Sequence, residues 1–372
     1  MSIRVLMLNR SDAYSIHGGD TIQMEETAKG LRNLGVDVEV ELVCRLSEID
    51  TRFDVVHIFN IQTAGESWEA LLWAKAQKLP VVLSSIYWSP FPHWYRNANE
   101  KKPAWKLVNT LLGPTLGSKT FEAWQNFRSP ANEFWKLQRR LLLSVDKILP
   151  NSSMEAKQLL HDFRLGKHIY QEISVIPNAI DDQLYIPKPQ PNVEFQRRFD
   201  GQNLILAVGR ISPEKNCLAL IEALWDVDVQ IAFIGSSAPH SKDYVDLCHQ
   251  RAAERKGVHF IDWMDHKDLP GIYASANVHI LPSWRETPGL ANLEAAAAGC
   301  KIVSTSIGSA YEYFGDKAWY CDPANTKTIK QAVLSALNSR PSEDLRSHIL
   351  KNFTWNAAAK ATLTAYQSVL NI

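Results

Sequence analysis

Short apolar runs alternate along the chain with stretches whose hydrophobic residues recur every three or four positions. The first run, Ile3–Leu8, ends at polar Asn9-Arg10, as a strand buried on both faces would. A loop through Gly18-Gly19 leads to Asp20, with Gln23 three residues on, a spacing that predicts a capping-box start to a helix. Met24, Ala28, Leu31 and Leu34 then fall on one helical face, Gly35 stops it, and Val36–Val43 reads as the next strand. Strand Phe53–Phe59, helix Trp68–Gln77 and strand Pro80–Ile86 continue the alternation. Lys147–Pro150 and Ile173–Pro177 are short enough to be interior strands. Strands separated by helices predict a parallel sheet covered on both faces.

A break comes at Ile186–Asn192, where three prolines make a semi-rigid extended linker. Beyond it the pattern restarts: strand Leu204–Val208, helix Cys217–Trp225, then strands Gln230–Ile234, Val258–Ile261 and Val278–Leu281. Helix Leu290–Ala298 and strand Lys301–Thr305 follow, and Trp355–Val369 predicts a last helix. The expected fold class is α/β, with two Rossmann-like doubly wound domains facing each other across a cleft. Residues 1–185 form the first domain and 186–354 the second, and the helix at about 355–372 packs back on the first. Ligands of such sheets bind at the carboxyl ends of the strands.

Composition narrows the function. The 372 residues are 45% hydrophobic and 22% charged, ordinary for a globular chain of about two domains. Forty basic residues balance 40 acidic ones, so no chain-wide field exists to recruit nucleic acid. The apolar runs are too short to span a bilayer, and the first one lacks a small-residue cleavage site. Five cysteines without metal-like spacing suggest a reducing compartment, and a cytoplasmic protein is expected.

Three segments carry candidate chemistry. In the first, Ser283–Glu294, the chain leaves strand Val278–Leu281 and runs through Glu286, Thr287, Pro288, Gly289 and Leu290 into a helix bearing Glu294. Pro288 suits a first helical turn, and small neighbours leave N–H groups free to meet a phosphate at the positive helix end. Glu286 and Glu294 fall on one side of the axis, fitting a nucleotide with two hydroxyl-bearing rings; a solvated helix start with a capping acid is the plainer alternative. In the second, Val208–Asn216, Arg210 and Lys215 follow a strand end and could clamp a diphosphate, or simply be solvated cations. The third, Gly18-Gly19, is weaker, because a glycine pair is often only a turn.

Together with Val175–Asp181, these segments resemble the large group 1 (family 4-like) retaining glycosyltransferases of the GT-B fold. The motifs keep their order over nearly the whole chain: Gly18-Gly19, Phe53–His57, Ile176–Asp181, Gly209-Arg210 with Lys215, and Glu286 running to Glu294 and on through Gly299. The resemblance implies a hexosyltransferase that moves a hexose or deoxyhexose from a nucleotide-diphosphate sugar to a glycan or lipid-linked acceptor, in surface polysaccharide or glycoconjugate biosynthesis. It implies that Arg210 and Lys215 neutralise the diphosphate and that Glu294 binds the ribose. Glu286, with Thr287, Pro288, Gly289 and Leu290, would hold the sugar and phosphates, and Gly18 and Gly19 would approach the donor from the first domain. Neither a cofactor nor a metal is expected. The alternatives are a nucleotide-sugar epimerase on the same fold and a non-catalytic nucleotide-sugar-binding protein.

Two departures stand out. Where such enzymes carry a His after the fourth strand, this chain reads Ser84-Ser85-Ile86-Tyr87-Trp88, so Tyr87, Ser85 or His93 would take its place, with His17 a further acceptor-side candidate. The Gly-Gly-x-x-Glu after the later strand reads Gly308-Ser309-Ala310-Tyr311-Glu312. One segment is left over. Residues 85–140 hold five of the 12 tryptophans and nine basic against three acidic residues. That composition suits peripheral contact with the inner face of a membrane or an anionic lipid-linked acceptor, and equally a helical packing unit with solvated lysines.

Overall fold

The computed structural model describes residues 3–372 except 17, 51, 129, 130, 200, 238–240 and 285; the side chains at 93, 100, 114 and 115 also lie outside the description. The chain forms two compact units, Met1–Asn178 with Trp355–Ile372, and Ala179–Thr354. The second unit begins before the proline-rich stretch because Ile180 and Tyr185 are already packed in its core.

The first unit is built on β1 (Arg4–Asn9), β2 (Asp37–Leu42), β3 (Val55–Phe59), β4 (Val81–Ser84) and β5 (Lys147–Ile148). These pair in parallel in the order β2-β1-β3-β4-β5. Leu6, Leu8, Val56, Ile58, Val81 and Leu83 pack into one buried cluster. On the intervening positions His57 donates or accepts at Tyr366 Oη (2.7 Å) and Ser84 Oγ (2.9 Å). His57 is therefore a packed residue, and burial depresses its pKa to about 3.

Two local expectations are corrected. Asp20 caps nothing: the helix Gly19–Asn33 has Gly18 at its N-cap and no side-chain cap. The Asp20 carboxylate is taken instead by Arg10 Nε (2.8 Å) and Asn60 Nδ2 (3.3 Å), partners that local spacing does not reveal. Ile173–Pro177 is not a strand either. It makes one bridge, Ile173 with Ile148, and two further bonds to the chain beside β5. A two-residue edge strand offers too short a ladder to extend.

In the second unit β6 (Leu204–Val208), β7 (Gln230–Ile234), β8 (Val258–Ile261), β9 (Val278–Leu281), β10 (Lys301–Thr305) and β11 (Trp319–Cys321) form a parallel sheet. Its order is β11-β10-β9-β6-β7-β8. Counted from β6 as the first strand, this is the 3-2-1-4-5-6 order of doubly wound nucleotide-binding sheets. Successive β6 side chains alternate between two cores, Leu204 and Leu206 in one and Ile205 and Ala207 in the other. The sheet is thus covered on both faces, as a parallel sheet requires. β11 is only three residues long, too short to show as a hydrophobic period. No helix among the described residues is long and apolar enough to cross a membrane.

The helix Trp355–Leu370 packs on Gly19–Asn33 within the first unit. At their closest approach a Cβ on Gly30 would lie 2.7 Å from Ala359 Cβ and 3.2 Å from the Trp355 carbonyl. Gly-to-Ala inside a helix normally stabilises by about 0.5–1 kcal/mol. Here the sign reverses: Gly30→Ala is expected to destabilise by roughly 1–3 kcal/mol through overpacking, read by denaturant unfolding. A variant as stable as the parent would show that the two helices do not meet at Gly30.

Candidate functional site

In the second unit the strand order reverses between β6 and β9, and the loops leaving both carboxyl ends meet there. The β6 loop runs through Gly209, at φ 150°, to Asn216, at φ 61°. Gly235, after β7, presses on it so closely that a Cβ would lie 2.5 Å from the Gly209 carbonyl. Asn216 holds the neighbouring loops: its Nδ2 donates to the carbonyls of Pro282 (3.1 Å) and Pro323 (2.9 Å). Between these anchors, Lys215 Nζ reaches Glu286 Oε2 at 2.8 Å. Arg210 is exposed, with no ion pair among the described residues. Two cations and one carboxylate thus meet at the switch point of the sheet, where open α/β sheets bind ligands.

Backbone fit fixes Glu286 from behind. A Cβ on Gly308, at φ 120°, would fall 2.0 Å from the Glu286 carbonyl oxygen, and the Ser309 N–H donates to that oxygen at 3.3 Å. Only glycine fits at 308, so the loop read as a departure from the family pattern keeps the glycine that touches the site. The helix starts where expected, but Pro288 is not in its first turn. It spans Leu290–Ala297 with Gly289 at the N-cap (φ 88°). No side chain caps this helix, so its first N–H groups have no side-chain acceptor.

Glu294 is buried, and both its oxygens are engaged: Oε1 with His266 Nε2 and Oε2 with the Tyr273 hydroxyl, each at 2.8 Å. Neither partner was singled out from the sequence, because both come from the segment between β8 and β9, far along the chain. The Tyr185 hydroxyl is also buried, without a hydrogen-bond partner among the described residues, and burial together with the Glu294 charge holds its pKa well above the usual range. Two residues before Glu294, Asn292 Oδ1 accepts from His279 Nδ1 (2.9 Å) while its Nδ2 donates to Ser304 Oγ (3.1 Å). His279 Nε2 in turn accepts the Val208 N–H (3.2 Å). These partners assign the neutral imidazole with its proton on Nδ1, and burial lowers its pKa to about 4. The network joins the Glu-bearing helix to the end of β6. Its sequence signal was a polar residue inside each apolar run, His279 in Val278–Leu281 and Asn292, beside Glu294, in Leu290–Ala297.

The first unit places its candidates differently. Gly18 is extended and Gly19 opens the helix, whose N-terminus adjoins the Arg10–Asp20 pair. Tyr87 is not an acceptor-facing residue: it is buried, its hydroxyl donates to Asp162 Oδ2 (2.6 Å) and its ring packs on Phe163. Ser85 is also buried and donates to Glu155 Oε1. The same oxygen accepts the Tyr87 N–H (2.8 Å), and Oε2 accepts that of Asn151 (2.8 Å). Glu155 therefore pins the turn after β4 from inside, with burial raising its pKa to about 7. Ile86 in that turn sits at φ 47°, unusual for a β-branched residue. His17 and the side chain of His93 lie outside the described residues. Among the described residues one metal-like group exists, Glu122, His161 and Asp162. It lies in the first unit, and both Asp162 oxygens already accept bonds, from Tyr87, Gln158 and His161.

Residues 190–353 match the family described as glycosyl transferases group 1. The D-inositol 3-phosphate glycosyltransferase of Corynebacterium glutamicum is 24% identical over 72% of this chain and 68% of its own. Spore coat protein SA of Bacillus subtilis is 30% identical over 45% of this chain and 49% of its own. Among solved structures, the sucrose-phosphate synthase of Thermosynechococcus elongatus is similar with a TM-score of 0.75 at 15% identity, covering 99% of both chains. These likenesses, with the two parallel sheets, make the fold GT-B.

The buried neutral His279 yields a pH prediction. Its folded pKa of about 4 lies below its unfolded value of 6.5, so the unfolded chain binds the extra proton between these limits. The stabilisation is complete above pH 6.5 and is lost as pH falls toward 4. Denaturant titrations of the parent and His279→Gln should show the parent's advantage shrinking by roughly 3 kcal/mol across that window. An advantage independent of pH would place a charged or exposed imidazole at 279.

Proposed function

We propose, from the match of residues 190–353 to the family described as glycosyl transferases group 1, that the chain transfers a sugar with retention from a nucleotide-diphosphate donor. The observation that carries this reading is the Lys215–Glu286 pair at 2.8 Å at the switch point of a doubly wound sheet, with Arg210, which has no ion pair among the described residues, on the same loop as Lys215. In this reading the donor diphosphate takes over Lys215 and joins Arg210, and Glu286 turns to the hydroxyls of the transferred sugar. The uncapped N-terminus of Leu290–Ala297 adds fixed amide dipoles to the same anion. Glu294 serves the ribose from its place against His266 and Tyr273.

Leaving-group departure builds charge on the diphosphate, so Arg210, Lys215 and the helix amides are the principal stabilisers of the transition state. Retention proceeds by front-face attack, the leaving phosphate accepting the acceptor's proton, and no cofactor or metal is needed. A similar structure, of Anabaena HepE, was solved in complex with UDP-glucose; it has a TM-score of 0.66 at 16% identity and covers 99% of this chain and 98% of its own. A hexose or deoxyhexose donor of this kind, a glycan or lipid-linked acceptor, and a cytoplasmic place at the inner face of a membrane complete the proposal. Incubation with a panel of UDP-, GDP- and dTDP-sugars tests it. Released nucleotide supports transfer or hydrolysis, an isomerised sugar would mean an epimerase, and binding without turnover a non-catalytic protein.

Two outcomes are expected once a donor is found. Arg210→Ala and Lys215→Ala should each lower turnover roughly 100- to 1,000-fold, the usual loss for one electrostatic stabiliser. Near-parental turnover in both would remove the diphosphate clamp. Chelation by EDTA should leave the rate unchanged, since the clamp supplies its own cations; loss of activity restored by magnesium or manganese would overturn the metal-free mechanism.

A further inference from the structure

Residues 85–140 divide into two kinds of surface. The aromatic residues are mostly inside: Tyr95 and Phe121 are buried with Trp105 and Trp124 packed against them, and Trp135 stacks between Phe91 and Phe163. Packing accounts for most of the tryptophans. It does not account for the leucines. The helical stretch Pro103–Arg128 breaks at Gly113 (φ 74°), and around the break Leu107 is 60%, Leu111 72%, Leu112 45% and Leu116 56% exposed. Phe127 at the end of the same stretch is 81% exposed. Exposed leucines scattered singly are ordinary, but here a ridge of four lies within ten residues, three before the break at Gly113 and Leu116 just after it.

The charge around this ridge is predominantly basic, with Glu122 the acidic residue of the same helical stretch. Lys101, Lys102 and Lys106 precede it and Lys119 follows it, all exposed. Lys101, Lys102 and Lys106 have no ion pair among the described residues. Apolar residues at the crest with unpaired lysines beside them match an anionic interface: the leucines enter the acyl boundary while the lysines meet headgroup phosphates. A soluble acidic protein would satisfy the lysines but leave no account of a leucine ridge broken by glycine. We propose that this face of the first unit docks on an anionic lipid bilayer, with Leu107, Leu111, Leu112 and Leu116 inserted and Lys101, Lys102 and Lys106 on the headgroups. The proposal stands on this surface alone and is independent of the donor chemistry of the second unit.

Flotation with vesicles tests it, using phosphatidylcholine alone and phosphatidylcholine mixed with phosphatidylglycerol. The intact chain should float with the mixed vesicles and not with the neutral ones. Raising salt toward 1 M, where screening acts within about 3 Å, should weaken binding without abolishing it, because the leucine contribution is insensitive to salt. Lys101→Glu, Lys102→Glu and Lys106→Glu together should lower partitioning roughly 100-fold or more. Leu111→Ser with Leu112→Ser should lower it roughly 30-fold at any salt. Thermal unfolding recorded on each variant separates lost docking from lost folding, and Leu107→Ser with Leu116→Ser provides a second pair. No flotation of the intact chain, or flotation unchanged in both sets of variants, overturns the proposal. So does self-association in sedimentation that the leucine substitutions dissolve, which would make the ridge an interface between copies of the chain.

Discussion

The ion pair between Lys215 and Glu286 spans the point where the second sheet changes direction, and the surrounding loops are shaped to hold it. A nearly buried carboxylate without a partner would cost several kcal/mol, so the loop after β9 needs a cation from the loop after β6. Neither loop could supply its half alone. Asn216 ties the β6 loop to Pro282 and Pro323, and glycines at 235 and 308 let neighbouring backbone close in where any side chain would collide. The pair is therefore a property of the whole sheet end. It depends on five loops, those that follow β6, β7, β9, β10 and β11.

What the sequence revealed and what it hid follow from how local each cause is. Apolar runs ending in glycine or polar residues located most strands, because a strand buried on both faces must be apolar over its own length. Arg210, Lys215 and Glu286 stood out as candidates because they lie in the loops that follow β6 and β9, and Glu294 because it lies on the helix after β9. Asp20 was misread because the residue that claims it, Arg10, precedes it across a loop. Tyr87 was misread because its partners Asp162 and Phe163 come from a helix end far along the chain. His266 and Tyr273 escaped notice for that reason too. In residues 85–140 the composition drew attention to tryptophans, whereas only the folded helices show that the aromatics are largely covered and the leucines are not.

Three buried carboxylates show how differently one chemical problem is solved in this chain. Glu155 accepts two backbone N–H groups and a serine hydroxyl, partners that cannot leave without unmaking the turn after β4. Glu294 is met by a buried tyrosine and by His266, a half-exposed ring that can move on one side only. Glu286 alone is balanced by a flexible side chain, whose four-carbon stem lets the ammonium swing to another anion without moving the backbone. An incoming diphosphate would compete for that ammonium and leave the carboxylate needing new donors. Sugar hydroxyls are donors of the right kind. The exchange keeps every buried charge partnered before and after, which is the condition for a site to change ligands without loosening the fold around it.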